Sequence, residues 1–236
     1  MLILAIDTAL DACAAAVLDA GAGKLLAQHS QAMKRGHAEA VMPLVARVMR
    51  EASLPFVALD RMAVTTGPGS FTGLRVGLSA ARGIGLAAGK PVIGVTTLWA
   101  YAAPALGERG KHVIIAAIDA RHDHVYLQVV GGDGRVLVEP RLAPVTEAIA
   151  ASRFGAPHLV GNAALMLAER WPGDAAPPVR VDQNSAPDIA SVAWLGAAAD
   201  PAAAPARPFY LRPADAKPAD KTASLLQRRP QPAGTS

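Results

Sequence analysis

The stretch Thr65-Thr66-Gly67-Pro68-Gly69-Ser70-Phe71-Thr72-Gly73-Leu74-Arg75 joins an apolar run to an amphipathic run. The apolar run at 57–64 predicts a buried strand, and the pattern over 73–88 predicts a helix. Unpaired amides at a helix N-terminus favour either an anion or a close backbone contact, and Ser70 or Thr72 is expected to cap this helix. We therefore expect the rest of the fold to be arranged around this turn.

The glycine spacing of the turn excludes two common nucleotide-binding loops. A Walker-type loop requires a Lys and a hydroxyl after its last glycine, but Leu74 and Arg75 follow Gly73. The dinucleotide-binding fingerprint G-x-G-x-x-G is one residue shorter than the spacing found here. Two interpretations stay open, namely glycines that only relieve backbone strain and a nucleotide that lies beside the turn. The candidates for a nucleotide-proximal position are Asp7, Thr8, Gly67, Gly69, Ser70 and Gly73.

The composition favours a globular protein of the cytoplasm. The chain has 236 residues, 52% of them hydrophobic, which is enough to bury a sizeable core. Cys13 is the sole cysteine, so the sequence excludes an intramolecular disulfide and a cysteine metal cluster and fits a reducing compartment. The N-terminus lacks the basic start of a signal peptide, and no apolar run is long enough to predict a membrane span.

Positive charge is concentrated near the C-terminus of a chain whose net charge is +4. A basic tail either contacts nucleic acid or acidic protein, or is simply solvated. The Pro, Gln, Arg and Ser content predicts a mobile tail over 214–236. Aromatic residues make up only 4% of the chain and do not alternate with basic ones, which argues against nucleic-acid binding by this chain alone.

A weak internal repeat divides the chain. A shift of 112 positions places Ala5-Ile6-Asp7 on Ala117-Ile118-Asp119, and two glycine-rich turns also coincide. Each copy is predicted as β-β-β-α-β-α and opens on a strand that ends in an acidic residue. Two such copies predict an α/β protein with the duplicated actin-like fold of actin, hexokinase and Hsp70. We predict an N-terminal subdomain over 1–106 that carries the partner-binding helices, a C-terminal subdomain over 107–213, and the tail.

The two acidic strand ends are the candidates for chemistry in such a fold, where they face each other across a nucleotide cleft. Asp7 and Asp119 would position a phosphate or a Mg²⁺-bound water, or each would merely begin a turn. After Asp119, however, Ala120-Arg121-His122-Asp123 is bulky and charged and contains no glycine. This departure from a phosphate-binding hairpin predicts that the chain does not hold a complete ATPase site.

Histidine spacing provides no metal motif. The sequence has neither H-E-x-x-H nor H-x-x-x-H, and the residue four positions after His37 is Val41. His122 and His124 are expected on one face of a strand, where they would supply at most half of a zinc site. The segment Gly69–Gly73 also differs from the G-x-S-x-G motif of a nucleophilic serine. We therefore predict neither metal ligands nor catalytic residues in this chain.

Two helices are more apolar than a single covered face requires. Helix 38–51 and helix 73–88 are apolar over more than one face, and small residues in the second permit close helix approach. Either each is covered by its own domain, or they form an interface with another chain. The candidate interface residues are Val41, Met42, Val45, Met49, Arg75, Val76, Leu78, Ala81 and Arg82.

Five blocks of the sequence resemble the bacterial TsaB family of tRNA threonylcarbamoyladenosine biosynthesis proteins. They occur in family order at Ile3–Thr8, Gly67–Gly77, Gly89–Leu98, Ala117–Arg121 and Pro208–Arg212. The resemblance extends to residue 213 and implies a duplicated actin-like fold in a non-catalytic subunit. It also implies that the catalytic paralogue, TsaD, carries the metal-binding H-x-x-x-H that is missing here.

The resemblance further implies the partners. TsaB pairs with TsaD and with the ATPase TsaE to place threonylcarbamoyl on N6 of the adenosine beside the anticodon in tRNAs that read codons starting with A. ATP or ADP and a metal are implied in the partner subunits and no cofactor in this chain, with tRNA reached through the complex. Helices 38–51 and 73–88 are implied to contact TsaD, or to form a homodimer when the partner is absent. Three alternatives stay open, namely an ATP-binding kinase-like enzyme, a glycoprotease-like enzyme and a stand-alone RNA-binding protein.

Overall fold

The computed structural model describes residues 1–106 and 112–211. The predicted tail over 214–236, with Arg212 and Pro213, lies outside the described residues, as do the first residues of the predicted C-terminal subdomain. The first half contains β1 (Leu2–Asp7), β2 (Ala12–Asp19), β3 (Lys24–Ala32), α1 (His37–Glu51), β4 (Arg61–Gly67), α2 (Phe71–Ala88), β5 (Val92–Thr96) and α3 (Thr97–Leu106). The second half contains β6 (Ile114–Arg121), β7 (His124–Val130), β8 (Val136–Pro144), α4 (Val145–Ile149), β9 (His158–Val160), α5 (Ala164–Glu169), β10 (Arg180–Asp182) and α6 (Ile189–Ala198).

The strands form two five-stranded sheets with the same topology. The strand order is β3-β2-β1-β4-β5 in the first sheet and β8-β7-β6-β9-β10 in the second. In each sheet the first three strands of the half are antiparallel, the fourth pairs in parallel with the first, and the fifth pairs in parallel with the fourth. The shift of 112 positions even brings the ends of β3 onto those of β8. The duplicated actin-like α/β fold predicted from the repeat is confirmed.

The central strands are buried on both faces. Leu4 and Ile6 of β1 pack in the core under α1 and α2, whereas Ile3 and Ala5 pack under α6 on the opposite face. Successive side chains of a strand point to opposite faces, so a strand covered on both sides must be apolar throughout. This explains the continuous apolar run at the N-terminus.

Two helices connect the halves by packing across the predicted subdomain boundary. α6 follows the second sheet in sequence but covers the first, where Val192 and Ala193 are fully buried. α3 follows the first sheet but packs Leu98 and Tyr101 beside Ile118 of the second. The division into 1–106 and 107–213 stays a prediction, and neither sheet is covered by its own range alone.

The structure shifts several predicted element ends. The strand predicted at 57–64 begins only at Arg61, because Phe56–Ala58 forms a 3₁₀ turn, and it continues to Gly67. α2 begins at Phe71, and its cap is Ser70, whose hydroxyl accepts a hydrogen bond from Gly73 N at 3.3 Å. Thr72 therefore lies inside the helix and does not cap it.

Three further findings concern β10, the length of the helices and the burial of Cys13. The proline-rich segment from Trp171 to Pro187 contains β10, which pairs with β9 at the sheet edge. Among the described residues, none of the helices combines the length and apolarity that a bilayer crossing requires. Cys13 is fully buried, and burial together with the nearby Asp7 raises the pKa of its thiol to about 11.

Candidate functional site

Asp7 ends β1 in the interior, with 0% of its surface exposed. Its Oδ1 accepts hydrogen bonds from Thr65 Oγ1 at 2.6 Å and from Ala9 N at 3.0 Å, while Oδ2 has no hydrogen-bond partner among the residues that the structure describes. Burial raises the pKa of Asp7, and the hydrogen bonds from Thr65 and Ala9 and the nearby His37 oppose that rise only in part. The carboxyl group thus joins β1 to β4 and does not face solvent.

The glycine turn packs directly against the residues that follow β1. Thr8 Oγ1 donates a hydrogen bond to Gly73 O at 2.7 Å, and Ser70 N donates to Ala9 O at 2.7 Å. A side chain at Gly73 would collide with the carbonyl oxygen of Thr8, and one at Gly69 with that of Ala9. These glycines therefore permit a close backbone contact, which is one of the two interpretations drawn from the sequence.

This packing does not fit a phosphate group. Three amides around the start of α2 are used internally, because Ser70 N donates to Ala9 O, Gly73 N to Ser70 Oγ and Leu74 N to Ser70 O. Asp7 and Thr8 are closed off from solvent, and a side chain at Gly67 would lie 2.7 Å from the carbonyl oxygen of Phe209. The six candidate residues do lie together, but they contact one another and the C-terminal segment. Nucleotide binding here stays a prediction, and the packing argues against it.

The corresponding turn in the second half is built differently. Asp119 is exposed, and its Oδ1 accepts a hydrogen bond from Arg121 N at 2.7 Å. Arg121, His122 and Asp123 have φ angles of 63°, 52° and 57°, which is the left-handed region that non-glycine residues seldom adopt. Two such residues in succession suit a tight hairpin turn between β6 and β7.

The two histidines of this turn do not share a strand face, so that prediction is wrong. His122 lies in the turn, β7 begins at His124, and His124 Nδ1 lies 2.7 Å from the carbonyl oxygen of His122. Across 1–106 and 112–211, no three His, Cys, Asp or Glu side chains are grouped closely enough to hold a metal ion.

A polar pair lies on the inner side of β9. His158 is buried, and its Nε2 lies 2.7 Å from Asp182 Oδ2 of β10. Arg180 donates from Nε to the same carboxyl group at 2.9 Å. Burial raises the pKa of Asp182, but the hydrogen bonds from His158 and Arg180 outweigh it and the net shift is downward. The pair fastens β10 to the sheet, which explains why so short a strand is ordered at the edge.

α1 and α2 cover one face of the first sheet, and most of their apolar side chains point towards it. Five of the nine candidate interface residues are buried in this core, namely Val41, Val45, Met49, Leu78 and Ala81. The hypothesis that these five contact a partner is corrected, because their side chains already pack against the sheet or between the two helices. Most of the apolar side chains of these two helices are therefore buried within the chain's own fold.

The outward surface of these helices carries the remaining candidates. Met42 is 46% exposed, and Leu86, which is not among the nine candidates, is 86% exposed. Arg75 and Arg82 are exposed, and Val76 is half-buried. Leu86 could have been recognised from the sequence as a large apolar residue that lies off the buried stripe of α2.

Residues 204–211, here called the C-terminal strap, run along β5 and then towards α2. Gly94 N donates to Ala204 O at 2.9 Å, and Phe209 N donates to Thr66 O at 2.8 Å. Arg82 Nε donates to Ala206 O at 3.1 Å. The strap thus covers the edge of the first sheet, and an arginine predicted to contact a partner holds it there.

An aromatic cluster lies where the strap reaches the start of α2. The rings of Phe71 and Tyr210 have centroids 5.3 Å apart, and the guanidinium carbon of Arg75 lies 3.8 Å from the centroid of Phe71. Arg75 Nε also donates to Tyr210 Oη at 3.4 Å. Arg75 therefore has partners within this chain, although it is exposed enough to contact another.

The sequence and the fold of this chain are similar to those of known proteins. The family model described as "TsaD: tRNA N6-adenosine threonylcarbamoyltransferase" matches residues 24–164, which is more than half of the chain. The tRNA threonylcarbamoyladenosine biosynthesis protein TsaB of Escherichia coli is 38% identical over 126 residues, or 53% of this chain and 53% of that protein. This chain spans about half the length of the curated relatives of that name.

Two other proteins match nearly the whole chain. Protein Rv3421c of Mycobacterium tuberculosis is 35% identical over 219 residues, or 92% of this chain and 94% of that protein. The solved structure of YeaZ from Pseudomonas aeruginosa has a TM-score of 0.70 and 29% identity, and the match covers 89% of this chain and 99% of that one. The similarity to these proteins is therefore not confined to one half of the duplicated fold.

Proposed function

Because the chain belongs to the family described as TsaD, and relatives that share about half of it are named TsaB, we propose that it is a non-catalytic subunit in threonylcarbamoyladenosine biosynthesis. The observation that carries this proposal is the closed site at the end of β1. Asp7, Thr8 and the glycine turn occupy the positions where an actin-like enzyme would hold its nucleotide, but here they pack against one another. A chain that has used these groups for its own fold is suited to support the active site of another subunit.

The proposed partner is the catalytic paralogue TsaD, with the ATPase TsaE as the third subunit. ATP or ADP and the metal would be bound in those partners, and tRNA would be reached through the complex. Support for the contact surface comes from the outward side of α1 and α2, where Met42 of α1 and Leu86, Arg75 and Arg82 of α2 are exposed. In the absence of TsaD, the same surface would pair two copies of this chain.

The cellular test is depletion of this chain, followed by mass spectrometry of nucleosides from total tRNA. We expect threonylcarbamoyladenosine to be lost while its precursor, threonylcarbamoyl-adenylate, is still formed. Normal levels of the modified nucleoside after depletion would contradict the proposal. Turnover of ATP or cleavage of peptides by the isolated chain, abolished by Asp7→Ala, would instead support an enzyme, and tight salt-dependent tRNA binding by the chain alone would support an RNA-binding protein.

The contact surface is tested with substitutions that leave the core intact. Val45→Glu and Leu78→Glu are unsuitable, because both side chains are buried and a charge there would unfold the protein. Met42→Glu and Leu86→Glu place a charge on the outward surface, and we expect each to weaken binding to TsaD about 10-fold or more, measured by calorimetry. Val179→Glu is the control, since Val179 is an apolar residue of the second half that is 50% exposed, close to the value of Met42. Unchanged affinity for TsaD in Met42→Glu and Leu86→Glu would show that this surface does not bind TsaD.

A further inference from the structure

Two exposed aromatic rings meet where the strap reaches the start of α2. Phe71 is 41% exposed and Tyr210 is 42% exposed, and their rings lie 5.3 Å apart at an interplanar angle of 32°. The guanidinium carbon of Arg75 lies 3.8 Å from the centroid of Phe71, and Arg75 Nε donates to Tyr210 Oη. We call these three residues the ring platform. It presents π surface and a positive charge side by side at the surface of the protein.

The backbone on both sides of the ring platform is fixed by hydrogen bonds. Phe71 is the first residue of α2, and the cap residue Ser70 before it accepts a hydrogen bond from Gly73 N. Tyr210 follows Phe209, whose amide donates to Thr66 O at 2.8 Å. Because the rings are already positioned by the fold, little conformational freedom is lost when a ligand binds to them.

The segments that carry the ring platform contain basic residues and no acidic ones. From 61 to 106 and from 204 to 211 the sequence has neither Asp nor Glu. Arg82 follows Arg75 after two helical turns, about 10 Å along α2. Both arginines are exposed, and so is Arg207 in the strap. Charge complementarity therefore favours a polyanion as the ligand of this surface.

The surroundings of the ring platform favour nucleic acid over protein. The exposed large apolar residues of α2 and the strap are Phe71, Tyr210 and Leu86, and Leu86 lies about 22 Å from Phe71 along the helix. Aromatic anchors of a protein interface are surrounded by further contacts that exclude water. An unpaired base requires only a ring on which to stack and a cation near its phosphate. The ring platform offers these two features without a surrounding aliphatic surface.

We propose that the ring platform stacks unpaired bases of an RNA strand, with the charges of Arg75 and Arg82 beside the phosphates. The proposal rests on the proposed function, because the loops of the tRNA reached through the complex would supply the unpaired bases. Leu86, on the surface proposed to bind TsaD, is far enough away for both partners to bind at once. The pattern of the sequence does not show this site, because Arg75 and Tyr210 are 135 positions apart.

The first test measures how the isolated full chain binds a fluorescein-labelled oligoadenylate of about eight nucleotides, by fluorescence anisotropy. At about 50 mM salt we expect a dissociation constant on the order of 100 μM. Phe71→Leu and Tyr210→Leu keep an apolar side chain but remove the π surface, and each should weaken binding about 5-fold or more. Trp194→Leu is the matched control, because Trp194 is also 42% exposed but lies on α6. Equal affinity in all four proteins would overturn the proposal.

The second test measures the salt dependence of the same binding. Arg75→Met should lower the slope of log Kd against log salt concentration by about 0.7, the share of one phosphate contact in a single strand. Arg153→Met is the control, because the guanidinium carbon of Arg153 lies 4.6 Å from the centroid of Phe154, a half-buried ring that packs on the core of the second half. An unchanged slope in Arg75→Met, or the same reduction in the control, would contradict the proposed phosphate contact.

Ultraviolet cross-linking of the unchanged chain to the same oligonucleotide requires no substitution, so a variant that fails to fold does not affect it. Mass spectrometry should locate the cross-links at Phe71 or Tyr210. Cross-links at Trp194, with none at the ring platform, would overturn the proposal.

The affinity for TsaD decides between RNA and protein as the ligand of the rings. The double variant Phe71→Leu/Tyr210→Leu should bind TsaD within about twofold of the unchanged chain, measured by calorimetry. Reduced affinity for TsaD together with unchanged oligonucleotide binding would assign the rings to the protein partner and overturn the proposal. The oligonucleotide experiments use neither TsaD nor cells, so they can fail while tRNA modification still depends on this chain, and the reverse also holds.

Discussion

Thr8 illustrates how single residues decide this fold. Its hydroxyl donates to Gly73 O, and its side chain fits against α2 because Gly73 and Gly77 have no side chains there. A methyl group at Gly77 would collide with Thr8 Oγ1, and one at Gly73 with the carbonyl oxygen. The contact between β1 and α2 therefore depends on the absence of two Cβ atoms.

Gly73→Ala should destabilise the protein by about 1–3 kcal/mol or more, because the added methyl group forces α2 away from Thr8. Gly83→Ala is the matched control on the same helix, where a Cβ meets nothing within 4 Å. We expect it to stabilise the protein by about 0.5–1 kcal/mol through the better helix propensity of alanine. Urea unfolding followed by circular dichroism measures both, and equal effects of the two changes would contradict this account.

The buried carboxyl group of Asp7 predicts a characteristic pH dependence. Burial raises the pKa of Asp7 in the folded state above its value in the unfolded chain. Asp7 therefore contributes fully to the free energy of unfolding when the pH is below the pKa of the unfolded state. That contribution is lost as the pH rises through the pKa of the folded state. Asp7→Asn is neutral at every pH and keeps the acceptor for Thr65. The free energy of unfolding of Asp7→Asn, measured relative to that of the unchanged chain, should therefore be higher at pH 8 than at pH 4.

Urea unfolding at the two pH values gives the measurement for Asp7→Asn. Gly83→Ala serves as the reference, because it changes no ionisable group and its stability difference from the unchanged chain should be the same at both. The stability of Asp7→Asn relative to the unchanged chain could instead be the same at both pH values, or higher at pH 4. Either result would show that Asp7 is not held in a desolvating environment.

At the scale of elements, α2 shows why the sequence suggested a wider interface than exists. The helix packs Leu78 and Ala81 towards the sheet and α1, while Arg75 and Arg82 hold the strap. A helix covered on two sides by its own chain is apolar over more than one face, and so is a helix that binds a partner. Periodicity alone does not distinguish the two cases, because it carries no information about residues more than a hundred positions away.

Arg82→Met should loosen the strap without unfolding the sheet. The substitution keeps most of the aliphatic length but removes the donor to Ala206 O. Hydrogen exchange should accelerate about 10-fold at the amides of Gly94 and Phe209, which depend on the strap, and not at Val64 in the sheet centre.

Arg50→Met provides the control for this exchange experiment, because Arg50 is an exposed arginine on the neighbouring helix α1. Its exchange pattern should match that of the unchanged chain. Slow exchange of Gly94 and Phe209 in the Arg82 variant would show that the backbone hydrogen bonds alone fix the strap.

At the scale of the molecule, the two halves are joined by exchanged helices. Arg61 of β4 donates from Nη1 to the carbonyl oxygens of Ala199 at 2.9 Å and Gly196 at 3.2 Å, at the end of α6. Gly196 permits this contact, since a side chain there would collide with Ala63. The end of α6 is thus fixed to a sheet that precedes it by some 135 residues.

Arg61→Met should lower the free energy of unfolding by about 1.5–3 kcal/mol, because two carbonyl oxygens lose a charged donor in a partly buried position. Arg47→Met removes an arginine that forms an exposed ion pair with Glu51 four positions away, and we expect it to cost less than about 0.5 kcal/mol. Thermal unfolding by calorimetry compares the two. Similar losses would mean that the end of α6 is held by apolar packing alone.

The sequence predicted the order and type of most elements, and the duplicated topology followed from the repeat of Asp7 at Asp119. It predicted that the glycine turn would be central, but it left open whether the turn serves a nucleotide or a close backbone contact. It did not predict the burial of Asp7, because nothing local shows that Thr65 would turn its hydroxyl onto that carboxyl group. The helix exchange and the strap were missed for the same reason, since both depend on contacts between distant segments.

The exchange of α3 and α6 has a consequence for synthesis on the ribosome. All five strands of the first sheet have been translated by residue 96, yet the helix that covers one of its faces ends at residue 198. At a translation rate of about 5–20 residues per second, that face of the sheet stays uncovered for roughly 5–20 s until α6 has been synthesised. Ile3, Ala5 and Leu18, fully buried in the finished protein, belong to the surface that the nascent chain must keep from aggregating during this interval.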